Sequence, residues 1–583
     1  MMRWCLLLGV GVLLASGLGA AGARDAVIPG KIVLEAPTLV CLGVRWYVSG
    51  DENANAAVAV SYRPKGEERW REALPLFRVG TEGDAEEAEA RLRRLPEERG
   101  WPFSPGNLLA GSIFDLRPDT AYEIRLVLTD PEGGGATERL EARTRPEPVA
   151  PKPLRVLHVA PGNGGGTGSP GDPLRGLAAA DAQARPGDLL LVHAGVYEGT
   201  FTVTKRGEPG RPIVWRGAGD GEAVIDGMGA ARAVSATDLH DVFFEKLSLR
   251  NSQFALVAHG SSDMVVRRCH FYRNTMGFVG TDNTTRMRNF YVADNLFEGP
   301  ASWPRTKGIE AARAVQVCGE GHVVCYNRVR GFGDGIDIMW DTPNRAIDFY
   351  GNEVSECTDD AFEMDYGMTN VRCFRNRITN CFEGVSAQPV YGGPAYIFRN
   401  AMYNLEYSSF KLHNLTMGVL LLHNTAVKSG TPWVLHTPEQ VTHVVSRNNL
   451  FVGREAPYGM EFSPPMVGCD FDYDGFAGGP FARFARWRGG IYQTWEEFQR
   501  ESGIEAHGVL LGVSPFGDGV RTPEDHRERF SVAANDLRLR AVSPAVDAGF
   551  PLPNINDGFR GKAPDLGAYE QGDPLPRYGP REE

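Results

Sequence analysis

Asparagine recurs at Asn376, Asn400, Asn424 and Asn448, spaced 24 residues apart, in the segments VRCFRNRIT, YIFRNAMYN, VLLLHNTAV and VVSRNNLFV. Asn352 lies 24 residues earlier, Asn327 another 25, and Asn295 another 32 with an insertion; Leu247 and Cys269 hold the same place in two earlier units. A near-constant period defines a structural repeat. The unit, flanked by β-branched and aromatic runs, is too short for the common helix pairs and suits one turn of a parallel β-helix. Turns stack at about 4.8 Å, so one asparagine per turn can pass amide hydrogen bonds along the stack where the chain bends. The asparagines are therefore read as structural. Cys357 and Cys381, also 24 apart, are read as stacked core thiols rather than a disulfide.

The rest of the chain divides around this repeat. Residues 1–23 combine Arg3, an apolar run from Leu6 to Leu14 and an A-x-A ending at Ala21 and Ala23. That is the pattern of a cleaved signal peptide, and it predicts a secreted or periplasmic protein with no transmembrane segment after cleavage. Residues 24–147 alternate apolar and polar side chains in short runs between Gly and Pro turns, which predicts a small antiparallel β-sandwich. A charged stretch, GDAEEAEARLRRLPEERGWP, interrupts it. Residues 148–153 form a proline-rich linker, and 154–575 carry the repeat, opening on an amphipathic helix that caps the first turn. The chain has 61 basic and 73 acidic side chains, a formal charge of -12, so nucleic acid or an anionic membrane would bind against the overall field. Oligomeric state has no signal in the sequence.

Two stretches bear resemblances. Leu116-Arg117-Pro118-Asp119-Thr120-Ala121-Tyr122 resembles the L-x-P-x-T-x-Y corner of fibronectin type III domains, in which the tyrosine hydroxyl bonds back to the main chain. The glycine-rich opening HVAPGNGGGTGSPGDP, the repeat, and the tail SPAVDAG followed by Pro564-Asp565-Leu566-Gly567-Ala568-Tyr569-Glu570 resemble secreted proteins of the pectate-lyase-like superfamily, across about residues 154–572. The resemblance implies an all-β chain built on a right-handed parallel β-helix. It leaves function open, because that superfamily hosts lyases, hydrolases, epimerases and proteins of no assigned activity.

Chemistry is sought on the outward face of the repeat. Aligning KGIEAA, DGIDIM, DAFEMD and SFKLHN on their apolar alternation turns Ile309, Ile336, Ile338, Phe362, Met364, Phe410 and Leu412 inward. Glu310, Asp337, Glu363, Asp365, Lys411 and His413 then point outward. The rung between offers Ala387 and Pro389, with Gln388 and Tyr391 nearby, and Asp334, Asp359 and Asp360 crowd the same edge. Like charges stacked about 4.8 Å apart repel, so some are protonated or a cation sits among them. An all-oxygen cluster favours calcium.

Three readings follow. By resemblance to calcium-dependent polysaccharide lyases of this fold, Glu310, Asp337 and Glu363 would hold calcium. Lys411 would remove the proton next to a uronate carboxylate, with His413 or Tyr391 as donor. Lys411, His413 and Asp365 are thus the catalytic candidates, and Tyr391, Gln388 and Trp340 the candidates for substrate contact. The second reading is a glycoside hydrolase with paired carboxylates, for which neighbouring rungs give about 5 Å and alternate rungs about 10 Å. Asp359-Asp360 resembles the aspartate pair of polygalacturonases, although the N-T-D, G-H-G and R-I-K elements of that family are absent as a set. The third is a glycan-binding protein without catalysis, which predicts a broad aromatic groove and no perturbed titratable group. His259, His423, His436 and His443 are scattered and are read as structural.

Overall fold

The computed structural model describes residues 25–79, 106–281, 287–305, 310–339, 342–512, 514–532 and 535–582. The leader, the charged stretch at 83–102, Ile309 and Trp340 lie outside the described residues. Strands dominate, with two short helices, Leu177–Gln183 and Trp495–Ser502, among the described residues. None of the described helices is long and apolar enough to cross a membrane.

The first domain is antiparallel. Seven strands hydrogen-bond in the order one-two-five-four-three-six-seven, from Ile28–Leu34 to Gly135–Arg143. The alternation read from TAYEIRLVLT is visible in Ala121–Thr129, where every second side chain is buried. Trp46, Val58, Ile124 and Leu126 meet in the core of this domain. The Tyr122 hydroxyl accepts the Arg117 backbone N–H at 2.8 Å, closing the corner expected from the sequence.

From Arg155 onward the chain winds into a parallel β-solenoid bounded by one sheet of 14 strands and one of 21. Leu177–Gln183 buries Leu177 and Ala180 against the first turn. The closing helix Trp495–Ser502 starts at Thr494, whose side chain and that of Glu497 cap each other's backbone N–H groups, and stops at Gly503 with φ 71°. Between them the core is apolar side chains stacked rung upon rung.

The asparagine stack exists. Each side-chain oxygen accepts both the backbone and the side-chain N–H of the asparagine one turn earlier, from Asn295 through Asn327, Asn352, Asn376, Asn400 and Asn424. The side-chain links measure 2.9–3.0 Å. The second N–H of each amide donates to a backbone carbonyl, as Asn376 does to Phe349 at 2.9 Å. Cys269 stands at the head, its N–H donating to Asn295. One expectation is corrected: the next member is Asn449, not Asn448. That turn is one residue longer, and Asn448, at φ 59°, faces the C-terminal tail, donating to Phe550 O. The stack ends on Asp474, which accepts both N–H groups of Asn449. The eight described cysteines are free, Cys357 and Cys381 among them, as expected for core thiols.

The two domains share a core. Phe114 of the first domain packs edge-on against Tyr396 and Phe398 of the 14-stranded sheet, each 4.9 Å between ring centres. Arg372, fully buried, reaches Asp348 at 2.5 Å and Ser112 at 3.0 Å, and Asn554 bridges Phe114 and Tyr62. The acidic rungs belong to the other, 21-stranded sheet, which these contacts do not involve.

Candidate active site

Four strands of the 21-stranded sheet, Arg313–Val317, Asp334–Ile338, Asp360–Glu363 and Glu383–Ser386, with Phe410–Lys411 after them, place one outward residue per rung in register. The column reads Gln316, Asp337, Glu363, Ser386, Lys411. A second column beside it reads Arg313, Asp334 and then Asp360, Glu383. Asp337, Glu363 and Lys411 thus stand where the alternation put them. Two placements are corrected. Glu310 lies in the turn before its strand, and Gln316 takes the place opposite Asp337, because that rung carries an insertion that shifts the apolar alternation. Ala387 is buried in the core and Ser386 faces out, a slip of one residue.

Two cations hold the cluster from opposite ends. Arg313 meets Asp334 at 2.8 Å, Asp337 at 2.7 Å and Glu363 at 3.9 Å, and Gln316 donates to Asp337 at 2.5 Å. Lys411 meets Asp360 at 2.8 Å and Glu383 at 3.5 Å. Burial opposes the charge on each cation, but the surrounding carboxylates outweigh it and hold both pKa values above their ordinary ranges. Lys411 is therefore a clamped ammonium in this arrangement, not a free amine.

Seven carboxyl groups share this space with those two cations: Asp334, Asp337, Asp359, Asp360, Glu363, Asp365 and Glu383. Burial, then the neighbouring acids, pushes Glu363 well above the usual carboxyl range. Asp334 and Glu383 are raised for the same first cause, against the pull of Arg313 and Lys411 respectively. Asp359 is raised by burial and by Asp360. Asp365 is pushed up to about 7 by burial and Asp360, although it accepts hydrogen bonds from Ser386 Oγ at 2.7 Å and Gln388 N at 2.8 Å. Glu363 and Asp359 are partly accessible, so two of the raised groups reach solvent.

Among the described residues, Asp334, Asp359 and Asp360 form the group whose oxygens all lie within 4.8 Å of one another. The Asp360 Oδ1 atom is buried without a hydrogen-bond partner. An orphaned oxygen in an all-oxygen triad fits a hard cation such as calcium. That location differs from the expected set of Glu310, Asp337 and Glu363. Glu383 Oε2 also lacks an aligned donor despite its proximity to Lys411.

The remaining candidates divide. His413 is half-buried, and burial followed by the Lys411 charge lowers its pKa, which keeps it neutral. Gln388 meets Asp365 through its backbone N–H. Tyr391 is packed with Met368, Met417 and Tyr366 at 5% exposure, which leaves little ring for a sugar. Arg313, Gln316, Glu383 and Ser386 went unread in the sequence. Glu383 alone carried a signal, lying 23 residues after Asp360 in the same sheet.

No family model and no curated protein matches the chain. Solved structures do. Pectate lyase Pel9A aligns with 72% of this chain and 97% of its own at 19% identity and a TM-score of 0.40. A rhamnogalacturonan lyase aligns with 51% of this chain and 82% of its own at 12% identity and a TM-score of 0.34. The family 28 exopolygalacturonase of Yersinia enterocolitica aligns with 76% and 96% at 10% identity and a TM-score of 0.27. At such values the likeness assigns neither substrate nor reaction, and the chemistry has to come from the site.

Proposed function

We propose that the protein is an exported carbohydrate-active enzyme that cleaves a polysaccharide at the acidic columns, by hydrolysis between carboxyl groups. Glycoside hydrolysis requires one carboxyl group that donates a proton to the leaving oxygen and another that assists at the anomeric carbon. Environments that drive neighbouring acids apart in pKa supply such a pair. The carrying observation is Glu363: its side chain 12% exposed, held well above the ordinary carboxyl pKa, and in register with Asp337, which Arg313 and Gln316 clamp. Glu363 takes the role of proton donor. Asp359, a partly exposed member of the triad, takes that of the group that accepts a proton from water: burial and Asp360 raise its pKa, while the charges of Lys411, Arg305 and Arg313 pull it back.

Calcium-assisted elimination is the second reading, supported by the orphaned Asp360 oxygen. Asp334, Asp359 and Asp360 would hold the ion, whose charge would neutralise a substrate carboxylate and acidify the adjoining C–H. It ranks second because Lys411, the base it needs, is protonated and tied to Asp360 and Glu383.

Product chemistry separates the two. Incubation with a panel of neutral and acidic polysaccharides, with and without a chelator, is expected to release reducing ends without the ultraviolet absorbance of unsaturated uronate. Absorbance that disappears with the chelator would replace hydrolysis by elimination. Absence of any cleavage across the panel would reject the enzymatic reading.

A further inference from the structure

Arg305 differs from the two cations that clamp the columns. Its guanidinium carbon lies 3.7 Å from the ring centre of Phe382, the residue before Glu383. Phe382 in turn stacks on Tyr407 one rung further, 5.8 Å between centres at 11°. Two residues before the arginine, Trp303 is anchored by its indole N–H to the carbonyls of His526 and Glu528, both at 2.9 Å. The guanidinium thus lies against an aromatic face, on a segment that Trp303 tethers. It is close enough to Asp359 for its charge to lower that carboxyl's pKa against burial. Yet Arg305 makes no ion pair with any described carboxylate, and its buried Nε has no hydrogen-bond partner. With Asp359 close enough to feel its charge yet not paired with it, this cation held against an aromatic ring has a vacancy for an anion from outside.

We infer that Arg305 is a substrate-binding residue that receives an anionic substituent, a carboxylate or a sulfate, on the sugar held against Asp359 and Glu363. The inference rests on the polysaccharide reading above and adds the charge of the substrate. The planar fork would accept two oxygens at once, while Phe382 fixes its orientation. An acidic chain would otherwise be repelled by the columns, whose two cations are already spent on internal carboxylates.

Affinity electrophoresis tests it without turnover, so its result does not depend on whether the chain is hydrolytic. The probes are polygalacturonate, which carries only carboxylates, dextran sulfate, which carries only sulfates, and neutral dextran. The wild-type protein is expected to be retarded by one of the acidic polymers and not by dextran. Arg305→Gln should weaken that retardation about 10- to 100-fold, and Phe382→Leu by a smaller factor, with thermal unfolding unchanged in both. Which polymer retards the protein identifies the substituent. Equal behaviour toward acidic and neutral polymers, or an Arg305→Gln protein that binds as the wild type does, overturns the inference. Arg305-dependent binding without any cleavage would leave it standing and reject the hydrolytic reading instead.

Discussion

The solenoid carries two stacks of polar side chains on successive rungs, and they obey opposite rules. In the asparagine stack every member from Asn295 to Asn424 is fully buried, neutral and doubly bonded to its neighbours. In the acidic columns Asp334, Asp337, Asp360 and Glu383 are about as buried, but they are ionisable, crowded, and left with orphaned oxygens on Asp360 and Glu383. A fully satisfied buried network rigidifies, while a partly satisfied one holds unfavourable energy that a fold tolerates where chemistry needs it. One stack serves the fold and the other is the place to look for function.

Breaking the first stack should cost the most stability. Asn376→Ala strands the backbone N–H and amide of Asn352, and the carbonyl of Phe349, without partners. The expected loss is about 3–6 kcal/mol in urea unfolding. Breaking the second at its cation comes next. Lys411→Met leaves Asp360 and Glu383 buried without a counter-charge, which should cost about 3–5 kcal/mol at pH 8. The cost should shrink at pH 5, where Glu383, pushed well above the usual carboxyl range by burial, takes up a proton.

The two rules meet at Asp474, an acid at the end of the amide stack. Burial raises it to about 6 and also holds its partner Glu505 well above the usual carboxyl range. Glu505 Oε2 accepts the Asp474 N–H at 3.0 Å, its Oε1 is orphaned, and Asp474 also takes the Ser446 hydroxyl. Raised folded-state pKa values mean that the folded chain holds more protons. The stabilisation is complete below the unfolded carboxyl range, about pH 4, and is lost as pH rises through about 6 for Asp474 and about 7 for Asp365. The melting temperature should therefore fall from pH 5 to pH 8. Asp474→Asn, which continues the amide stack, should restore on the order of 1–3 kcal/mol at pH 8 and little at pH 5. A flat profile would show that these groups stay ionised in the folded protein.

Much of this architecture is readable from the residues alone, for definite reasons. The asparagine spacing encodes the solenoid because each rung must repeat its bend, and strand alternation encodes Asp337, Glu363 and Lys411 as outward. Slips of one residue are hidden: Asn449 replaces Asn448 after a turn one residue longer and Ser386 replaces Ala387 after a turn one residue shorter, and either change swaps the face without changing the composition. Glu310 misleads because the insertion before Arg313 keeps an apolar alternation that the strand does not use. Burial of Tyr391 and the docking of Phe114 on Phe398 depend on contacts between distant segments, which no local pattern records.

Glu363→Gln decides whether the frustrated stack acts while the satisfied one supports. The substitution keeps the shape and removes the proton donor. Polysaccharide cleavage and thermal unfolding would be measured on the same preparation. The expected result is a loss in kcat of about 100- to 10,000-fold, with a melting temperature equal to or above that of the wild type, because one crowded acid has gone. Cleavage at the wild-type rate, or a collapse in stability like that expected of Asn376→Ala, would contradict it.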